Sequence, residues 1–170
     1  MIVGGDVRQR LRRKYLSLGS GELVAAGVFL GIGVVQIAPL LGAAGSALAL
    51  WFALGPLVVI LLQAGVYWLC ARSWVERSRM PPRLVATYKA LRGLNPVLLL
   101  AALVGLIITW PDNPAIGVAL LGVWGFGLVE YVNYFVVRLA YPPSTWLSRV
   151  RQWRTPRLVQ DIEAAQSATQ

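Results

Sequence analysis

The chain contains no histidine, a single cysteine (Cys70), two methionines and few charges: 16 basic and 7 acidic side chains among 170 residues, 14% of the total. Each shortage excludes something. Without histidine the commonest metal ligand and the commonest general base are missing, so histidine-based zinc or haem sites and a Ser-His-Asp triad cannot be assembled from this sequence. One cysteine rules out an intramolecular disulfide. An ordinary soluble domain is about 25% charged, and here the sparse charges are also unevenly placed, with none between residues 23 and 71. No catalytic, metal or nucleotide motif stands out, and no cofactor is expected.

What the chain has instead is hydrophobicity, 57% of its residues. The run 23–71 is followed by apolar stretches at 96–110 and 115–137, the last with Glu130 as its one charge. Stretches of this kind need a bilayer as solvent, since about 20 residues rising 1.5 Å each cross a hydrocarbon core of about 30 Å. The first run is too long for one crossing and must turn back, at Pro39 and the segment Gly42-Ala43-Ala44-Gly45. The expectation is an all-α membrane protein of four transmembrane helices paired as two hairpins, near 21–41, 46–72, 95–110 and 115–141, with short amphipathic interfacial helices. Asn95 and Pro96 read as the N-cap and first position of the third helix, 111–114 as a tight turn containing Asn113, and Pro142-Pro143 as the stop after the fourth. Three parts follow: a basic amphipathic N-terminal segment (1–20), the transmembrane domain (21–141) and a basic amphipathic C-terminal tail (142–170).

The basic residues fix an orientation. Arg8, Arg10, Arg12, Arg13 and Lys14 precede the first helix; Arg72, Arg77, Arg79, Arg83, Lys89 and Arg92 lie between the second and third; Arg149, Arg151, Arg154 and Arg157 follow the fourth. The positive-inside rule therefore puts both termini and the central loop in the cytoplasm. Tryptophans near the helix ends fit interfacial belts, Trp51 and Trp110 outside and Trp68, Trp74 and Trp146 inside. Lys14 and Lys89 are the only lysines; that arginine bias points to a GC-rich bacterial genome and so to the plasma (inner) membrane. A cleaved signal peptide is the competing account of the first helix, but its apolar run exceeds the usual h-region.

The basic segments carry helical patterns. Val7, Leu11, Tyr15 and Leu18 recur at helical spacing with Arg12 and Arg13 facing elsewhere; Trp146, Leu147, Val150 and Trp153 do the same beside Arg149, Arg151 and Arg154; Leu84, Tyr88 and Leu91 form a third stripe near Arg79 and Arg83. These arginines are candidate contacts to anionic lipid of the cytoplasmic leaflet, each worth about 1 kcal/mol near a charged surface; the plainer account is that they only set topology. Nucleic acid is not an expected partner, because the net charge of +9 is divided among three juxtamembrane pieces with no reading module.

Polar residues inside the spans form a candidate site. On one helix, Glu130, Asn133, Tyr134, Arg138 and Tyr141 fall within about 140° of arc, and Glu130, the one carboxylate well inside a span, requires a partner or a neutral form. Gln36 and Gln63 on the first hairpin can bond to each other or to Glu130. Gln63, Tyr67, Arg72 and Trp74 also parallel Glu130, Tyr134, Arg138 and Tyr141, as a parallel duplication of the hairpins would. Gly27, Gly31 and Gly33 on the first helix, with Gly122, Gly125 and Gly127 on the fourth, thin the surfaces where backbones meet, within the bundle or across to a second copy or another membrane subunit. Three functions fit: a non-enzymatic accessory or scaffold subunit binding membrane proteins and anionic lipid; a small oligomeric transporter or channel using Glu130; and a lipid-modifying enzyme, which would lack the paired carboxylates such chemistry normally uses.

Overall fold

A computed structural model describes residues 3–42, 47–76, 78–139 and 154–167. Among them there are only helices: α1 (Val3–Ile32), a π-helical turn (Gly33–Ile37), α2 (Ala38–Gly42), α3 (Ala47–Trp74), α4 (Pro82–Ile108), α5 (Pro114–Phe135) and α6 (Arg157–Gln166). Four of these segments are long and apolar enough to cross a membrane, Asp6–Ile37, Ala47–Trp74, Pro82–Ile108 and Pro114–Phe135, which marks a multi-pass membrane protein.

Local chemistry explains where the helices run and stop. Pro39 does not break the first helix as expected. The Ala38 N–H instead bonds back to the Gly33 carbonyl, one residue further than in an α-helix, and this wider turn gives the Pro39 ring room beside the preceding carbonyls. The basic segment 7–18 is likewise not a separate surface helix but the opening turns of α1. The third helix begins at Pro82, not at Asn95, and continues straight through Pro96. A proline there removes the N–H that would bond to Arg92 O, and the Tyr131 hydroxyl of α5 donates to that carbonyl at 3.1 Å. The expected Asn113 turn is present: its side chain accepts the Ala115 N–H at 3.0 Å, with Pro114 opening α5. α5 ends at Phe135 rather than near 141, so Arg138 lies beyond it. Glu76, with φ 57°, supplies the left-handed residue that closes the end of α3.

α3 is the centre of the bundle, and α1, α4 and α5 pack around it. Its sequence suits the role: it is the most apolar of the four, hydrophobic all round, and 56% of its most apolar window is buried, against 17%, 22% and 17% for α1, α4 and α5. Glycines set the closest approaches. The Gly65 carbonyl lies 3.0 Å from where a Gly19 Cβ would be, and the Gly19 carbonyl 3.2 Å from a Gly65 Cβ, so α1 and α3 touch backbone to backbone. Gly127 meets the Leu57 backbone at 3.3 Å, and Gly33 faces the Leu54 side chain. The other glycines expected to thin the bundle do not. At Gly27, Gly31, Gly122 and Gly125 an added Cβ would meet nothing within 4 Å, because these positions point away from α3.

Candidate functional site

The polar chemistry gathers at the end of the bundle that carries the start of α1, the α3–α4 connection, the end of α5, and α6. The other half is apolar: Leu41, Leu50, Leu54, Leu57, Leu61, Leu106 and Leu120 are buried together there. At the polar end the rings of Tyr15, Tyr67, Trp68, Trp74 and Tyr88 form a continuous cluster: Tyr67 is 5.0 Å from Trp68, 5.8 Å from Tyr88 and 6.4 Å from Trp74, and Tyr15 is 4.9 Å from Trp68. Trp74, 5% exposed, thus belongs to the interior, while Trp68 is half-buried at its edge.

Three hydrogen-bonded assemblies are built on this cluster. In the first, Gln63 of α3 and Asn95 of α4 bond reciprocally, Nε2 to Oδ1 at 3.1 Å and Nδ2 to Oε1 at 2.8 Å. The Tyr88 hydroxyl adds a bond to the Gln63 carbonyl at 2.8 Å. Asn95 is 1% exposed; its paired amide satisfies what would otherwise be a costly buried polar group.

In the second, the Tyr134 hydroxyl of α5 donates to the Glu22 carboxylate of α1 and accepts from Trp68 Nε1 at 3.3 Å. Glu130 stands one helical turn before Tyr134 on α5, close enough for its charge to interact with that of Glu22. The Asn133 Oδ1 accepts the Leu139 N–H at 2.9 Å where the chain leaves α5.

In the third, Asp161 of α6 reaches into the cluster. Its Oδ2 accepts from the Tyr67 hydroxyl at 2.9 Å and from Trp74 Nε1 at 3.0 Å, and its Oδ1 pairs with Arg157 Nε at 3.0 Å. Burial, the largest single effect, works against the Arg157 charge, but the negative field of Asp161 together with Tyr15, Tyr67 and Glu76 outweighs it and raises the guanidinium pKa. Leu158, Val159 and Ile162 close the same face of α6 onto the bundle.

The structure therefore joins Glu130, Asn133 and Tyr134 in one place but moves the other expected members elsewhere. Gln63 bonds Asn95 and not Gln36. Gln36 is exposed in the π turn, whose Gly33 is level with Leu50 and Leu54. Arg138 has left the helix, and its backbone N–H bonds the Arg154 carbonyl at 3.0 Å. Arg12, Arg13, Arg79, Arg83 and Arg154 are exposed. Tyr141, Trp146, Arg149, Arg151 and Trp153 lie outside the described residues, as does the turn at 43–46.

Two residues were missed by sequence reasoning. Glu22 reads as a membrane-edge residue because it immediately precedes the charge-free run, and its partner is more than a hundred positions away. Asp161 had a local signal: Leu158, Val159, Ile162 and Ala165 mark a helical stripe, and Arg157 and Asp161 are spaced for an i,i+4 pair. Comparison with family models, with curated proteins and with solved structures returns no match.

Proposed function

We propose that the chain is a small accessory or scaffold subunit of a bacterial inner membrane, with both termini cytoplasmic, that associates with a second membrane helix through the outward face of α1. That helix belongs to another copy or to another subunit. The observation that supports this reading is the placement of Gly27 and Gly31: both are exposed, four residues apart on one ridge, with open space over their Cα atoms. Val24, Val28, Ile32 and Val35 flank them at 63%, 52%, 46% and 72% exposure. Small residues let backbones approach, and β-branched neighbours have little rotamer freedom to lose, so this face is well suited to helix pairing in lipid. The inner polar groups support the same reading, since Gln63, Asn95, Tyr67 and Tyr134 are engaged within the chain.

Association measured by energy transfer between labelled copies in vesicles, over a range of protein-to-lipid ratios, tests it. Gly27→Leu and Gly31→Leu should each weaken association by about tenfold or more, while Val104→Leu on α4 should not. Unchanged energy transfer, together with unchanged crosslinking to neighbours in native membranes, removes the reading.

The Glu22–Glu130 neighbourhood supports a second reading, a small oligomeric transporter or channel. Two carboxylates on apolar helices are the usual material of proton and cation paths, though the leucine-filled far half of the bundle means that a path would run between copies. Glu130→Gln retains hydrogen bonding and removes the titratable group. Loss of gradient-driven flux with assembly intact favours transport; absence of flux in the unsubstituted protein rejects it.

A further inference from the structure

A groove opens at the rim of the polar end, between the first turns of α4 and the last turn of α6. Its volume is about 510 Å³, and Met80, Val85 and Ala86 form apolar walls with Arg79, Lys89 and Gln166 as polar lining. Met80 and Val85 are buried, 3% and 9% exposed, so the floor is fixed by the core. Arg79 and Lys89 are exposed and have no ion-pair partner among the described residues. The sequence supplies no acid between Glu76 and Asp112. Asp161 is turned inward to Tyr67 and Trp74, and Glu163 does not line the groove. The site therefore offers two uncompensated cations over an apolar base.

The groove does not end at its charged rim. At 100° per residue, the α4 face that bears Pro82, Ala86 and Lys89 continues as Gly93, Val97, Leu100, Val104 and Ile107. Val97, Leu100, Val104 and Ile107 are 64%, 63%, 48% and 59% exposed. Gly93 has nothing within 4 Å above its Cα, which leaves the passage from groove to helix face clear. From Gly93 to Val104 this track rises about 16 Å, the depth of one leaflet of a hydrocarbon core about 30 Å thick.

We propose that this groove seats the head group of one anionic phospholipid, the phosphate between Arg79 and Lys89 and an acyl chain along the outer face of α4. A free phosphate would find the two cations but would have no use for the track, so the continuity of charge and apolar surface selects the lipid. The proposal rests on the chain being embedded in a bilayer and is independent of association through α1.

The test uses the full chain in mixed micelles, with lipid retention read by native mass spectrometry against phosphatidylglycerol, phosphatidylcholine and inorganic phosphate. One phosphatidylglycerol should be retained in preference to phosphatidylcholine. The double variant Arg79→Gln/Lys89→Gln should lose that preference by about tenfold to thirtyfold, the expectation for two charges at a lipid surface. Arg10→Gln/Lys14→Gln, which removes the same charge elsewhere, should keep it. Gly93→Leu, which blocks the track, should weaken phosphatidylglycerol alone. Both exposed positions allow the fold to be checked by helix content, and Lys89→Glu serves as a second variant. Equal retention of the two lipids, an unaffected double variant, or displacement of the lipid by inorganic phosphate overturns the site. Retention of neither lipid would instead overturn the membrane reading on which it stands.

Discussion

Replacing Asp161 by alanine should free α6 from the bundle while the four long helices stay assembled. The Asp161 side chain is 10% exposed, and a single carboxylate oxygen receives both the Tyr67 hydroxyl and the Trp74 indole N–H. Tyr67 is 0% and Trp74 5% exposed, so alanine leaves two donors buried with no acceptor. At about 1–3 kcal/mol for each orphaned group, the expected loss is about 4 kcal/mol, roughly a thousandfold in the docking equilibrium. The Arg157 pair contributes far less, because that side chain is 44% exposed and an exposed i,i+4 pair is worth only about 0.3–0.5 kcal/mol. Amide hydrogen exchange on the full chain in lipid nanodiscs reads this directly. In Asp161→Ala, α6 amides should lose protection by roughly a thousandfold, or reach the unprotected limit, while α3 amides are unchanged. Arg157→Ala should stay within about threefold of the parent, and Asp161→Asn, which keeps one acceptor oxygen, should fall between. If α6 protection in Asp161→Ala drops by less than about tenfold, the two donors have found water and the docking is held by Leu158, Val159 and Ile162 alone.

Other outcomes follow from the packing. Gln63→Leu and Asn95→Leu should each destabilise the bundle by about 1–2 kcal/mol in detergent unfolding, and the double variant should cost less than their sum, since each single change strands the other amide; strict additivity would refute the pair. Gly65→Val should separate α1 from α3 and lower the unfolding midpoint, whereas Gly122→Ala should not, because its Cβ enters open space. Topology reporters should read Asn113 as extracytoplasmic and Arg79 and Gln170 as cytoplasmic. Opposite labelling at any of them defeats the proposed orientation.

The spans were legible because the bilayer demands long apolar runs, and nothing in the tertiary structure competes with that demand. Boundaries were less so. Asn95-Pro96 has the local form of a helix start, and it fails as one because two distant residues intervene: Gln63 takes the asparagine side chain, and Tyr131 takes the carbonyl that the proline leaves without a donor. Gly27 and Gly31 illustrate a similar limit. Their spacing announces a close-approach surface, but which helix faces it depends on how α1 rotates against α3, and Gly19, Tyr15 and Gly33 fixed that rotation through contacts the spacing alone does not reveal. The polar site was half visible, with Glu130, Asn133 and Tyr134 found from one helix, and Glu22 and Asp161 hidden by sequence separation.

The bond between Tyr134 and Glu22 spans 112 residues, which has a consequence for synthesis. Translation proceeds at about 5–20 residues per second, so α1 waits several seconds in the membrane before the phenol that donates to its carboxylate exists. Over that interval the head-group level, where a lone carboxylate is cheapest, is the favoured place for Glu22. The contact that draws Glu22 inward forms only once α5 has been inserted. On this account the last span to be made draws the first into place, and a chain arrested at Asn113 should leave Gly21→Cys open to aqueous thiol reagents that the completed protein excludes.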